Sequence, residues 1–157
     1  MTPQYIYINK YGSKFYYKDK AMEILHREDG PAVEDVDGSK FWCLNGKLHR
    51  EDGPAYEDAK GIKEWCLNGK LHREDGPAVE WADGDKEWWL NNKRHREDGP
   101  AIEYADGSKE WYLNGENLSK KDFLKRTAKE IVLTMDEIAD KFGIDVSKLK
   151  IKKWIKR

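Results

Sequence analysis

Apolar and polar positions along the chain recur with a period of 23 residues. Within each period a short aromatic run, KEWCL at Lys63 to Leu67 or KEWWL at Lys86 to Leu90, alternates between two faces as a strand does. Asn-Gly or Asn-Asn follows, residues that tolerate the positive φ of a tight hairpin turn. The chain then crosses HREDGP, where Asp-Gly-Pro bends it, and enters a second strand-like run such as AVEWA, Ala78 to Ala82. That run ends at Asp83-Gly84, another hairpin signal. Two strands of five or six residues and two turns fill the period without a helix or a long loop.

The most constant stretch is HREDGPA, which begins at His26, His49, His72 and His95. A unit this short cannot bury an apolar face alone, so the folded object is the stack of units. Stacking lines up Trp42, Trp65, Trp88 and Trp111, and beside them Leu44, Leu67, Leu90 and Leu113. Residues two apart in a strand share a face, which makes this Trp and Leu side the expected core. The opposite side of the same strands varies from unit to unit, with Phe41, Glu64, Glu87 and Glu110 beside Cys43, Cys66, Trp89 and Tyr112. In the second strands Ala32, Ala55, Ala78 and Ala101 share a face with Glu34, Glu57, Glu80 and Glu103. Which face of the second strands meets the Trp row is left open by the pattern.

An aromatic strand, Asn-Gly-Lys, His and then Asp-Gly at this spacing resembles the MORN repeat, also a 23-residue hairpin. The wording LNGKxHREDGPA is similar to a variant common in uncharacterised proteins of tailed bacteriophages. The likeness spans roughly residues 4 to 116 and implies a mainly β fold: an elongated single-layer antiparallel sheet of hairpins with a small helical C-terminal segment. It departs from the family where Arg27, Arg50, Arg73 and Arg96 replace a glycine after His. Past that departure, the lipid-binding or scaffolding roles of some MORN proteins carry over only weakly.

The units fall near residues 4–38, 39–61, 62–84 and 85–107, with a partial one at 108–116 and a basic helical segment at 117–157. The first is atypical: Gln4 to Asn9 reads as a strand turning at Tyr11-Gly12-Ser13 into Lys14 to Lys18, and Lys14 precedes His26 by three residues more than Lys40 precedes His49. Terminal units that meet water are expected to differ. After Gly115 the pattern stops. Ser119 with Asp122 reads as a helix N-cap, Thr134 with Glu137 as a capping box, and Gly143 as a C-cap; residues 145–157 favour a strand over a second short helix.

Hydrophobic residues make up 38% of the 157, so seven Trp and eight Tyr must supply much of the buried area. The net charge of −1 hides a segregation: residues 118–157 hold 12 Lys or Arg against 6 Asp or Glu, leaving 17 against 24 elsewhere. Such a field disfavours anionic lipid or nucleic acid on the sheet and attracts either to the tail. Cys43 and Cys66 are equivalent in adjacent units, about 9.6 Å apart if each hairpin advances two strand spacings. A disulfide spans a Cα separation of about 4.4–6.8 Å, so both should be free thiols in a reducing compartment. Neither a signal sequence nor a membrane-spanning run is visible, which reads as a cytoplasmic protein, in the infected host cell if the phage likeness holds.

Four His with Asp and Glu nearby invite a metal reading. Rungs about 9.6 Å apart oppose it, because Zn–N bonds are only about 2.0–2.1 Å long. The structural reading is favoured: each of His26, His49, His72 and His95 hydrogen-bonds backbone at the turn, and each of Arg27, Arg50, Arg73 and Arg96 pairs with an acid of a neighbouring rung. Four equivalent copies also argue against an enzyme, which needs one asymmetric pocket. No metal or cofactor is expected.

The stronger cue is the cluster of Trp81, Trp89, Tyr104 and Tyr112 in the third and fourth units, where earlier units have Asp35, Asp58, Cys43 and Cys66. Exposed, these would form an aromatic patch for a protein partner; covered by the C-terminal helices, they would be core. The leading expectation is a non-enzymatic protein-binding module that inhibits or modulates a host defence protein. An alternative is a DNA-binding accessory protein using Lys148, Lys150, Lys152, Lys153, Lys156 and Arg157 in a helix-turn-helix-like tail. A glycan or small-ligand binder using the aromatic face is a third. Edge strands of an open sheet also leave self-association available.

Overall fold

A computed structural model describes residues 5–128 together with Gly143 and Asp145. The chain divides into two compact units, Met1–Thr127 and Ala128–Arg157. The first is a long, open, antiparallel sheet of repeated hairpins. Its opening hairpin joins β1 (Tyr5–Ile8) to β2 (Lys14–Tyr17). Each following unit then gives the main sheet two short strands: β3 (Val33–Glu34) and β4 (Lys40–Phe41), β7 (Tyr56–Glu57) and β8 (Lys63–Glu64), β11 (Val79–Glu80) and β12 (Lys86–Glu87). The array closes with β15 (Ile102–Glu103), β16 (Lys109–Leu113) and β17 (Glu116–Leu118).

Small hairpins stand off this sheet, one per unit: β5 (Cys43–Leu44) with β6 (Lys47–Leu48), β9 (Cys66–Leu67) with β10 (Lys70–Leu71), and β13 (Trp89–Leu90) with β14 (Lys93–Arg94). Their two-residue turns hold Asn45, Asn68 and Asn91 at φ of 51–53°, followed by Gly46, Gly69 and Asn92 also at positive φ. Both central residues of a type I′ turn must sit there, as the Asn-Gly pattern predicts.

In the last unit the aromatic run is one five-residue strand, β16, as expected, but in the three units before it the run is divided. It breaks at Trp42, Trp65 and Trp88, where the chain leaves the main sheet for the small hairpin. The backbone stays bonded through the break: the Trp65 amide donates to Ala78 O (2.8 Å), and the His72 amide donates to Trp65 O (3.0 Å). Adjacent hairpins are tied in turn, the Arg50 amide donating to Cys66 O and the Gly69 amide to Leu48 O.

Register places the Ala and Glu positions of the second strands on the Trp side. Lys40 stands opposite Glu57, and the Trp42 amide bonds Ala55 O. Across the sheet this side carries an unbroken alternation, Lys14, Glu34, Lys40, Glu57, Lys63, Glu80, Lys86, Glu103 and Lys109, each opposite the next. A one-residue slip would set this ladder on the wrong face, so opposite charges fix the register.

The core is divided between the two sides and is not made by the Trp and Leu side chains expected to form it. Ala32, Ala55, Ala78 and Ala101 are fully buried, as nearly are Val33, Val79, Ile102, Cys43 and Cys66. The Trp and Leu rows are only half-buried, because on a single layer they meet arginine and solvent rather than a second sheet.

Those arginines form the repeated fastening. Arg27, Arg50, Arg73 and Arg96 lie over Tyr16, Trp42, Trp65 and Trp88 at 4.0–4.2 Å from the ring centroid. Each Nε donates to an Asp two residues on, at 2.8–2.9 Å. Each Nη1 donates to a proline carbonyl four on and to Glu34, Glu57, Glu80 or Glu103 seven on. The expected pairing with a neighbouring rung is thus corrected to pairing within the arginine's own turn, which folds back to bring i+2 and i+7 to one guanidinium. The other face of that guanidinium presses on glycine: a Cβ at Gly30, Gly53, Gly76 or Gly99 would stand 2.8–3.0 Å from the arginine Cζ.

The ends substitute for missing parts. Tyr16 takes the place of Trp under Arg27, and at the far end, where no HREDGPA follows, Lys120 Nζ lies 5.8 Å from the Trp111 ring. Lys120 opens α1 (Lys120–Thr127), which Ser119 caps by accepting the Asp122 amide at 3.1 Å, as its sequence predicts. Phe123 is buried and Arg126 forks onto Glu116 at 2.6 and 2.8 Å, so α1 packs on the Trp111 side of β16 and β17. The capping box at Thr134, its helix and the favoured terminal strand lie outside the described residues; Gly143 has the positive φ (62°) expected of a C-cap.

Arg73→Ala should lower unfolding free energy by about 2–3 kcal/mol, through a lost ring stack and charge-assisted bonds. Gly76→Ala should cost about 1–3 kcal/mol by overpacking. Because both act on one guanidinium, the double variant should lose less than the sum in urea titrations; simple additivity would remove Gly76 from the fastening.

Candidate functional site

The four histidines run in a row, each reaching the next unit. Nδ1 of His26, His49, His72 and His95 accepts the amide hydrogen of Asn45, Asn68, Asn91 and Asn114 at 3.0–3.3 Å. That leaves the proton of a neutral ring on Nε2, which faces Glu28, Glu51, Glu74 and Glu97 at 3.5–3.8 Å. Nδ1 thus ties each turn to the next unit, while Nε2 stays within its own turn and, at His26, is buried without a hydrogen-bond partner. Among the described residues no group of three or more His, Cys, Asp and Glu is placed to hold a metal ion.

On this side, open clefts separate successive HREDGP turns, about 410, 590 and 860 Å³ from the first pair to the last. Trp42 and Leu44, Trp65 and Leu67, or Trp88 and Leu90 line them, with walls of arginine and acid that are already bonded to each other. Asp52, Asp75 and Asp98 are held below the ordinary carboxylate range by the hydrogen bond from Arg50, Arg73 and Arg96. The clefts repeat one arrangement and offer no group peculiar to one rung.

The opposite side is different in each rung. Cross-strand register places Phe15, Val33, Phe41, Tyr56, Glu64, Val79, Glu87, Ile102 and Glu110 on it. At one end aromatic rings dominate: Phe41 and Tyr56 stack at 4.6 Å. At the other, the four aromatic residues singled out in the sequence come together around two carboxylates. Trp81 and Trp89 each donate an indole N–H to Glu87, both at 3.1 Å. Tyr104 and Tyr112 each donate a hydroxyl to Glu110, at 3.0 and 2.7 Å.

Arg94 bridges the two groups. Its Nε donates to Glu87 at 3.1 Å, and its guanidinium lies 5.0 Å from the Trp89 ring and 5.4 Å from Tyr112. Burial acts against its charge, but Glu87 and Tyr112 more than compensate and hold its pKa above the usual value. The bonds from Tyr112 and Tyr104 keep the Glu110 carboxyl below its usual range. Asn117 reaches Glu110 as well, at 3.4 Å. Sequence reasoning placed Glu87 and Glu110 on this face without seeing that the aromatic donors converge on them, and it missed Arg94. The signal was present: Arg94 precedes His95 where the other three rungs have Leu25, Leu48 and Leu71 before the histidine.

Cys43 and Cys66 lie buried on this side as free thiols, as expected. Burial pushes their pKa values up to about 11 and about 12, with the Glu64 charge adding to the effect at Cys66. Lys148, Lys150, Lys152, Lys153, Lys156 and Arg157, named for nucleic acid, lie outside the described residues. No helix among the described residues is long and apolar enough to cross a membrane. No protein-family model matches the chain, and no curated protein matches it.

Two outcomes follow from these pKa directions. Carboxylates held low in the folded state, Asp52, Asp75, Asp98 and Glu110 among them, stabilise the fold above pH of about 4, and that contribution is lost as pH falls through their folded values. Urea midpoints should therefore drop steadily below pH 4, more slowly in an Arg73→Ala background; a flat profile would contradict the assignment. Cys43 and Cys66 should resist a thiol reagent at pH 8 in the folded protein and react at once in urea, whereas comparable rates in both states would show the thiols to be accessible.

Proposed function

We propose that this protein is a non-enzymatic binding module whose array of hairpins holds the side carrying Trp81, Trp89, Tyr104 and Tyr112 towards a protein partner. The observation that carries the reading is the convergence of these four residues on Glu87, Glu110 and Arg94. Large, rigid, amphipathic side chains with their orientation fixed by hydrogen bonds are the residue types that dominate protein interfaces. Trp81 remains 41% exposed despite its bond to Glu87. Helix α1 packs on the other side, so it does not cover this cluster. Aromatic and charged groups held in place before contact lose little entropy on binding.

In its concrete form the reading is a phage-encoded protein that acts on a host defence protein in the bacterial cytoplasm. That form rests on the likeness of LNGKxHREDGPA to phage sequences. A second reading is favoured by the charge segregation: the tail from residue 118, with its 12 Lys or Arg, would bind duplex DNA.

The test is capture of a bacterial partner by the full-length chain, compared with Trp81→Ser and Tyr104→Ser. A partner held by the parent and bound at least about tenfold more weakly by Trp81→Ser, a loss of about 1.4 kcal/mol, supports the reading. Equal capture by both variants removes this side from consideration. Duplex binding that falls steeply with salt and survives both substitutions would shift the function to the tail.

A further inference from the structure

We propose that Glu64 is the docking point for an arginine side chain of the partner protein, which supplies from outside the guanidinium that Arg94 supplies to Glu87 one rung further on. The proposal rests on the protein-binding reading above and specifies the chemistry taken beside the aromatic cluster.

Glu64 and Glu87 flank Val79 on the same side of the sheet, each opposite it in the register. Glu87 is saturated by Trp81, Trp89 and Arg94, and its side chain is 13% exposed. Glu110 is likewise met by Tyr104, Tyr112 and Asn117. At Glu64 all three donors are replaced. Asp58 stands where the next rungs have Trp81 and Tyr104, Cys66 where they have Trp89 and Tyr112, and Leu71 where they have Arg94 and Asn117. Asp58 accepts the Tyr56 hydroxyl at 3.2 Å, the Cys66 thiol is buried, and Leu71 has no donor in its side chain.

Among the described residues no hydrogen bond or ion pair therefore reaches the Glu64 carboxylate, and burial pushes its pKa above the usual range. A half-buried carboxylate without donors is costly in the free protein, and a cation from outside relieves that cost. Arginine suits the place better than lysine. Its planar fork can grip the carboxylate with two parallel bonds while its face lies on an aromatic ring, and the Tyr56 ring is opposite Glu64 in the register. Arg94 already shows the arrangement within this chain, bonded to one carboxylate and lying against two rings.

The site can be read without the partner. In the full-length protein the side-chain carboxyl carbon of Glu64 is followed by NMR while N-acetyl-arginine amide is added, with the citrulline analogue as the uncharged isostere. The expected result is a saturable shift at Glu64 and the Tyr56 ring with the arginine compound and none with citrulline. Leu71→Arg, which sets an internal guanidinium where Arg94 stands one rung on, should abolish the response, and Glu64→Gln should abolish it at Tyr56. An equal response to citrulline, a non-saturating drift spread over all exposed carboxylates, or a response unchanged in Leu71→Arg and Glu64→Gln overturns the proposal. Any of these would remove the docking point alone, because partner capture through Trp81 is measured separately.

Discussion

A guanidinium held flat between an aromatic ring and a glycine is what lets a single layer of short hairpins stand. Arg73 covers the Trp65 indole at 4.1 Å, and its nitrogens fasten Asp75, Pro77 and Glu80, the two ends of the turn it lies in. In a two-layer sheet the indole would be covered by a second sheet. Here the chain covers it with its own next turn, and the polar edge of the cover faces water. A glycine is required at Gly76 because the guanidinium occupies the space of a Cβ. The HREDGP wording is thus one device: histidine ties the turn to the next unit, arginine covers the ring, aspartate locks the arginine, and glycine makes room.

Once that device is present, much else follows. The guanidinium already reaches Glu80, so the glutamate's place on the Trp side is fixed, and with it the alternation of Glu and Lys across the strands. Burial can then be shallow: alanines with no exposed surface lie on the Trp side, and Val79 and Ile102 lie on the other. The array must end where the device runs out. Tyr16 under Arg27 and Lys120 over Trp111 are the same stack made from other residues, and the helix that carries Lys120 packs Phe123 against the last strands.

The period and turns were legible because Asn-Gly and Asp-Gly answer to a local requirement, positive φ, that few other residues meet; Asn45, Gly46 and Gly38 all lie there. Size misleads about burial on the Trp side: Trp65 is the larger side chain, but Ala78 beside it is the one with no water on it. The break in the aromatic run was hidden for a related reason. KEWCL alternates correctly as one strand, and only the change of hydrogen-bond partner at Trp65, a tertiary fact, divides it. The pairing of Arg73 within its own turn is not legible in the sequence, because the fold-back that brings Glu80 to it has no sequence signature. In the candidate site, Trp81, Trp89, Tyr104 and Tyr112 stood out by breaking the repeat, and Arg94 broke it as plainly.

The two sides of the sheet carry different obligations. On the Trp side every rung must preserve the stack, the turn and the charge alternation, so one arrangement is repeated along the array. The other side needs only a residue that keeps water from the backbone beneath it, which Val33, Tyr56, Val79 and Ile102 do in turn. The positions around them are free to vary, and they do, from Asp58 and Cys66 to Trp81 and Trp89 to Tyr104 and Tyr112. A repeat array becomes specific only where its units stop being alike. The gradient from stacked rings at Phe41 and Tyr56, through the undonated Glu64, to the saturated Glu87 and Glu110 gives this side a direction that the Trp side lacks. A partner that read the array by its repeat could bind in several registers, whereas one that reads this gradient has a single register available.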